Sequence, residues 1–199
     1  GIYFGVFTPT EAGAAGAMGA FLLMLAKGKV NRENLTSSLL ETIRTTAVVF
    51  LIVTAAVFFS RFLSLTGIPK VLTEFLVSLP IPPLGILIAI MLLYLALGCI
   101  LEPMGMMFLT LPFVLPVIKA LGFDPIWFGI LLVQNIGMGL ITPPVGINVF
   151  VLKSVLPDVR LGDIFRGVTW FLIMEAVALA LLIAFPDIAL WLPNQMMGK

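Results

Sequence analysis

From Leu84 to Leu101 the chain reads LGILIAIMLLYLALGCIL, without one charged side chain. Similar runs occur at Thr46–Ser60 with its flanks, at Ile126–Ile141 and at Val168–Phe185. Crossing the roughly 30 Å hydrocarbon core of a bilayer takes about 20 apolar residues in a helix. Across the 199 residues 61% are hydrophobic and only 11% charged, whereas soluble domains carry about 25% charged residues. A water-soluble core cannot hide that much apolar surface, so the solvent is a lipid bilayer. The runs are continuously apolar rather than alternating, which predicts spanning helices and not barrel strands.

The net charge of +1 singles out no charged partner, and no nucleic-acid partner is expected. With no histidine and one cysteine, Cys99, an intrachain disulfide, a His-ligated metal and a His proton relay are excluded. No paired Asp motif and no Ser/His or Cys/His set points to an enzyme. Gly1 opens in GIYFG, an apolar stretch without a charged leader, which reads as part of something longer rather than as a signal peptide. Basic residues gather at Lys27–Arg44 and Lys153–Arg166; inverted halves place equivalent loops on opposite faces, so this bias does not settle orientation.

Five segments follow. Residues 1–26 are apolar and rich in small residues, opened by FTPTEAG. Residues 27–66 begin with amphipathic Lys27–Arg44, a surface helix with Asn31 as N-cap candidate, and continue into a span. Residues 67–81 hold a short amphipathic piece, stopped by Pro80, Pro82 and Pro83. Within 82–157, LGCILEPMG interrupts an apolar stretch and leaves arms at Leu84–Leu97 and Met106–Leu121, each short for a crossing. A re-entrant hairpin with its tip at 98–105 explains both arms; two tilted spans are the alternative. Asp124 before Pro125 suits an N-cap followed by a first-turn proline. Residues 158–199 carry a turn and the last span, ending among Pro186, Trp191 and Pro193 near an interface.

Inside the oily run after Ile126 stands GLITPPVGINVF (139–150), and GVFTPTEAGAAGA (5–17) echoes it, each with Gly-x-(Phe/Ile)-Thr-Pro. After each come a short helix, a polar turn and a span. Chance pairing of two Thr-Pro kinks is the rival reading; matched interruptions in two halves are the sequence mark of a secondary-transporter site. Pro143 and Pro144 lack an N–H, so carbonyls near Gly139, Leu140 and Ile141 lose helical donors. In hydrocarbon such backbone is tolerated only in protein or against a wet cavity. Freed carbonyls suit a hard cation such as Na⁺, with the Thr142 hydroxyl or the Asn148 amide oxygen as further ligands. The helix restarting near Gly146 directs free N–H groups at an anion. A proline kink that only shapes packing is the plain alternative. Glu11 lies beside the first break and Glu102 at the hairpin tip. Glu102 either caps the N–H groups of Met104–Met106 or takes part in substrate or ion chemistry. Glu175, in mid-span, is expected to pair with a partner helix or subunit. Asn135 either lines the cavity or bonds a neighbouring helix.

On these residues the chain resembles a known family. GIYFGVFTPTEAGAAGA and GCILEPMGMMFLTLPFVLPVIKALGFDPIWFGILLVQNIGMGLITPPVGINVFV are similar to motifs of the large membrane subunit of tripartite ATP-independent periplasmic (TRAP) transporters, in order and with similar spacing. The resemblance implies an all-α polytopic membrane protein with inverted repeats, discontinuous helices and a re-entrant hairpin, working as an elevator. It implies Na⁺-coupled import of carboxylate-bearing organic acids, such as a C4-dicarboxylate or a sialic-acid-like compound, across a bacterial inner membrane. No cofactor beyond the coupling ion is implied. The implied partners are a small four-helix membrane subunit, a periplasmic substrate-binding protein and the N-terminal half of the same subunit, expected upstream of Gly1. Carried over by residue, Thr8, Pro9 and Thr10, with Glu11 beside them, mark one break, and Thr142, Pro143, Pro144 and Gly146 the other, with Asn148 beyond it. Gly98–Pro103, including Glu102, forms the opposing tip, and Na⁺ is held by main-chain oxygens near Gly98, Gly139 and Thr142. The resemblance makes 27–44 an arm helix, 82–157 the transport part and the spans of 27–66 and 158–199 scaffold. A divalent-anion/Na⁺ symporter of another family, working without a binding protein, is the alternative.

Overall fold

The computed structural model describes residues 5–196, and among them every regular element is a helix. In chain order these are α1 (Pro9–Ala26), α2 (Arg32–Thr66), α3 (Ile68–Ser78), α4 (Pro83–Gly98), α5 (Pro103–Ala120), α6 (Pro125–Ile141), α7 (Ile147–Val155), α8 (Leu161–Ala184) and α9 (Pro186–Met196). Four of them, α1, α2, α5 and α8, are long and apolar enough to cross a membrane. The chain is an all-helical, polytopic membrane protein. Residues 1–4, the start of the first motif, lie outside the described residues.

Local chemistry sets the starts. Thr8, Glu102 and Asp124 each stand before a proline, which forces them into extended backbone and lends the helix its preset φ. Each then caps its helix. Asp124 Oδ1 accepts from the N–H groups of Ile126 at 2.7 Å and Trp127 at 3.1 Å. Asn31 Oδ1 accepts from Asn34 N–H at 2.6 Å, as the sequence suggests. The surface stretch and the span expected in 27–66 form one continuous helix, α2, because neither Gly nor Pro interrupts Arg32–Thr66. At the other end, Pro186 does not simply stop the last span. It occupies the first position of an additional helix, α9, where its missing N–H costs nothing.

Contacts divide the chain into two units, 1–51 and 52–199, with the boundary inside α2. The first unit holds α1, on which no residue is buried. In the second, α6 is central. Its Trp127, Phe128, Leu131, Leu132 and Ile136, one helical face, pack on Leu87, Met91 and Tyr94 of α4. Trp127 Nε1 donates to the Leu182 carbonyl of α8 at 2.9 Å. Outward side chains such as Phe58, Leu65, Trp170 and Met174 stay exposed, which lipid, unlike water, does not penalise.

A hairpin tip packed on a helix break

α4 and α5 fold back on each other across residues 99–102. Tyr94 and Thr110 share a hydrogen bond between their hydroxyls, and Thr110 in turn donates to the Met106 carbonyl. At 1.5 Å per residue α4 is about 24 Å long, short for the roughly 30 Å hydrocarbon core, while α5 at about 27 Å is at the lower limit for a crossing. The tip is closed by Leu101 N–H donating to Leu97 O at 2.8 Å and by Glu102, whose carboxylate accepts from Gly105 N–H at 2.7 Å. Of the two roles open to Glu102, this is the capping one.

The break begins at Thr142. Standing before Pro143, it is pushed out of the helical region to φ −86°, ψ 136°, and α6 ends there. Two of the last-turn carbonyls still find donors. Thr142 N–H reaches Gly139 O at 3.1 Å, and the Thr142 hydroxyl reaches Met138 O at 2.6 Å. The carbonyl of Gly139, expected to be orphaned, is therefore satisfied by a tightened turn. The carbonyls of Leu140, Ile141 and Thr142 have no backbone donor among the described residues. Beyond the prolines, Gly146 turns the chain with φ 60°, a left-handed conformation in which a Cβ would also meet Thr142 O at 3.2 Å. The N–H groups of Val145, Gly146, Ile147 and Asn148 have no backbone acceptor, as expected where a helix starts without a capping side chain. Asn148 is exposed on α7, one residue into the restarted helix.

Tip and break meet. A Cβ placed on Gly139 would lie 2.8 Å from both Cα and carbonyl carbon of Gly98 and 3.2 Å from its oxygen. Only two glycines allow backbone to touch backbone in this way. Cys99, buried, sets Sγ 3.6 Å from Pro143 O. One to two turns back, Asn135 Nδ2 donates to Met91 O at 2.7 Å, so Asn135 makes the helix–helix bond rather than lining a cavity. These pairs, Met91 with Asn135 and Gly98 with Gly139, advance in the same direction along both helices. α4 and α6 therefore run parallel and end side by side. Each C-terminal end carries about half a negative charge. The N-terminal ends of α5 and α7 leave from the same two junctions.

Of the residues singled out in sequence, the fold gathers Gly98, Gly139, Thr142, Pro143, Pro144 and Gly146 at this junction. Glu102 and Pro103 start α5 just beyond the tip. Thr8, Pro9, Thr10 and Glu11 belong to the first unit. There Thr8 accepts from Glu11 N–H at 3.3 Å while Glu11 Oε2 accepts from Thr8 N–H at 2.8 Å. This reciprocal capping box has a sequence signature, Thr-x-x-Glu, that the reading of Glu11 as a break-side acid passed over. Glu175 takes its hydrogen bond from Gln134 Nε2 of α6, so its partner is a helix of the same chain. The Gly98–Gly139 contact had no advance signal beyond the two glycines.

Comparison with known proteins places this geometry in context. Residues 1–188 match the family described as tripartite ATP-independent periplasmic transporter, DctM component. The sialic acid TRAP transporter large permease protein of Vibrio cholerae is 35% identical over 199 residues, 100% of this chain and 46% of the relative. The C4-dicarboxylate TRAP transporter large permease protein of Pseudomonas aeruginosa is 33% identical over 195 residues, 98% of this chain and 45% of the relative. The ectoine TRAP transporter large permease protein of Halomonas elongata is 34% identical over 193 residues, again 45% of the relative. The chain thus spans about half the length of the curated relatives it matches.

Proposed function

Since this chain belongs to the DctM family of tripartite ATP-independent periplasmic transporters, we propose that it supplies one hairpin and one helix break to a Na⁺-coupled importer of carboxylate-bearing organic acids. The observation that carries this reading is the abutment of two parallel helix C-termini at Gly98 and Gly139. The carbonyls of Leu140, Ile141 and Thr142 lack backbone donors beside it. Two negative dipole ends and uncommitted oxygens favour a hard monovalent cation, and carbonyl ligands keep the site neutral enough to release it. Across the same break, the uncapped start of α7 offers N–H groups to a carboxylate. The relatives' names cover sialic acid, C4-dicarboxylates, ectoine and isethionate. The first three carry a carboxylate and the last a sulfonate, so the feature common to them is an acid group, and a carboxylate is the commonest form of it.

In this reading the chain is part of a large permease subunit. It works with the rest of that subunit, a small membrane subunit and a periplasmic binding protein in a bacterial inner membrane, and the hairpin and break ride together in an elevator-type motion. Family membership favours this plan over a binding-protein-independent symporter. The test is solute uptake by the complete system in proteoliposomes as a function of Na⁺. Thr142→Ala removes a hydroxyl, and Pro144→Ala restores a donor N–H that can compete for the freed carbonyls. Each is expected to raise the Na⁺ concentration for half-maximal uptake about tenfold, the equivalent of about 1.4 kcal/mol. Unchanged Na⁺ dependence in both would sink the site assignment.

A further inference from the structure

We infer that Asn135 is a positioning residue for the cation site: its amide clamps α4 to α6 and so holds the two carbonyl-bearing helix ends together. The inference rests on the transport reading above. Asn135 is the one amide side chain among the buried residues described, only 2% exposed. It sits in the packed seam between Met91 and the leucines of α6, where an unpartnered amide would be costly. Its Nδ2 reaches Met91 O at 2.7 Å, a carbonyl that α4 could already satisfy internally. The bond therefore does not rescue an orphaned acceptor. What it does is fix register between two helices whose other contacts are apolar and slippery.

That register has a consequence one turn further on. Gly139 follows Asn135 by one helical turn and Gly98 follows Met91 by two, so the clamp sets the pair whose backbones touch. A slide of α4 along α6 by about 1.5 Å, the rise of one residue, would carry Gly98 off Gly139 and separate the helix ends. Cys99 Sγ, 3.6 Å from Pro143 O, lies on the far side of the same contact. The Asn135 side chain makes its hydrogen bond to Met91 O and none to the tip or the break among the described residues. It acts through the register alone, and its role is distinct from that of a ligand.

Two variants of the full permease, reconstituted with its small subunit and binding protein, separate register from bulk packing. Asn135→Leu keeps the site filled and removes the donor. Leu131→Ala opens a void one turn earlier in the same core, where Leu131 is fully buried, and leaves the clamp intact. Asn135→Leu is expected to raise the Na⁺ concentration for half-maximal uptake about three- to tenfold, the range set by interhelical hydrogen bonds in membranes. Its maximal rate at saturating Na⁺ should stay within about twofold of wild type, as expected for a change in affinity alone. Leu131→Ala is expected to lower the thermal midpoint in detergent while leaving half-saturation unchanged. Should Asn135→Leu fail to accumulate, Asn135→Ala makes the same comparison against Leu131→Ala. Equal half-saturation in the Asn135 variant and wild type, or an equal rise in both variants, overturns the clamp. Wild-type uptake indifferent to Na⁺ overturns instead the transport reading beneath it.

Discussion

Two glycines of α6, two residues apart, behave in opposite ways. Gly137 has open space where a Cβ would go, whereas Gly139 would drive one to 2.8 Å from the Gly98 backbone. Backbone cannot swing aside as a flexible side chain can, so Gly139→Ala forces α4 off α6 and overpacks the seam. We expect it to cost about 1–3 kcal/mol and to abolish uptake by separating the helix ends. Gly137→Ala should be neutral or stabilising by up to about 1 kcal/mol, since alanine favours a helix interior. Thermal midpoints and uptake of the two variants, measured side by side, check this; equal loss in both would mean the seam is not where the constraint lies. Both glycines look alike in sequence. Their difference is made by Gly98, which stands in another helix.

At the scale of elements, much was legible. Prolines after Thr8, Glu102 and Asp124 start three helices, and Pro143–Pro144 ends a fourth, because a pyrrolidine ring acts on its immediate neighbours. Hairpin tip and break therefore stand where the sequence puts them. What the elements do with their acids was less legible. Glu102 was balanced between cap and chemistry, and its carboxylate is found on Gly105 N–H at 2.7 Å. The roles can be separated by substitution. Serine retains a capping oxygen without charge, so Glu102→Ser should keep uptake near wild type, while Glu102→Ala loses the cap, worth about 1 kcal/mol. Loss of transport in Glu102→Ser at wild-type stability would assign the charge a direct role. Pairings between elements left weaker traces still. Gln134 and Glu175 lie 41 residues apart and look unremarkable singly; only the packing of α6 on α8 joins them.

For the whole molecule, the governing fact is its solvent. α8 keeps Trp170, Phe171 and Met174 outward, an arrangement that water would disfavour and lipid or a neighbouring membrane helix accepts. Phe171→Lys, near the middle of α8, should cost about 2.5–3.5 kcal/mol of insertion and lower the amount of permease recovered in the membrane fraction. Recovery equal to wild type would mean that this face meets water. The sequence by itself determined that the chain is helical, lives in a bilayer, and breaks its own helices at Thr142–Gly146 and 99–102. Those properties follow from apolar run length, proline geometry and local capping, which operate within a few residues. Only the tertiary structure decided that α4 and α6 run parallel, that Gly98 meets Gly139, and that Asn135 bonds Met91. Such contacts join positions about forty residues apart, and their strength comes from excluding both lipid and water between two helices. No local pattern records that exclusion, because either helix alone would fold with the same caps, the same prolines and the same turn.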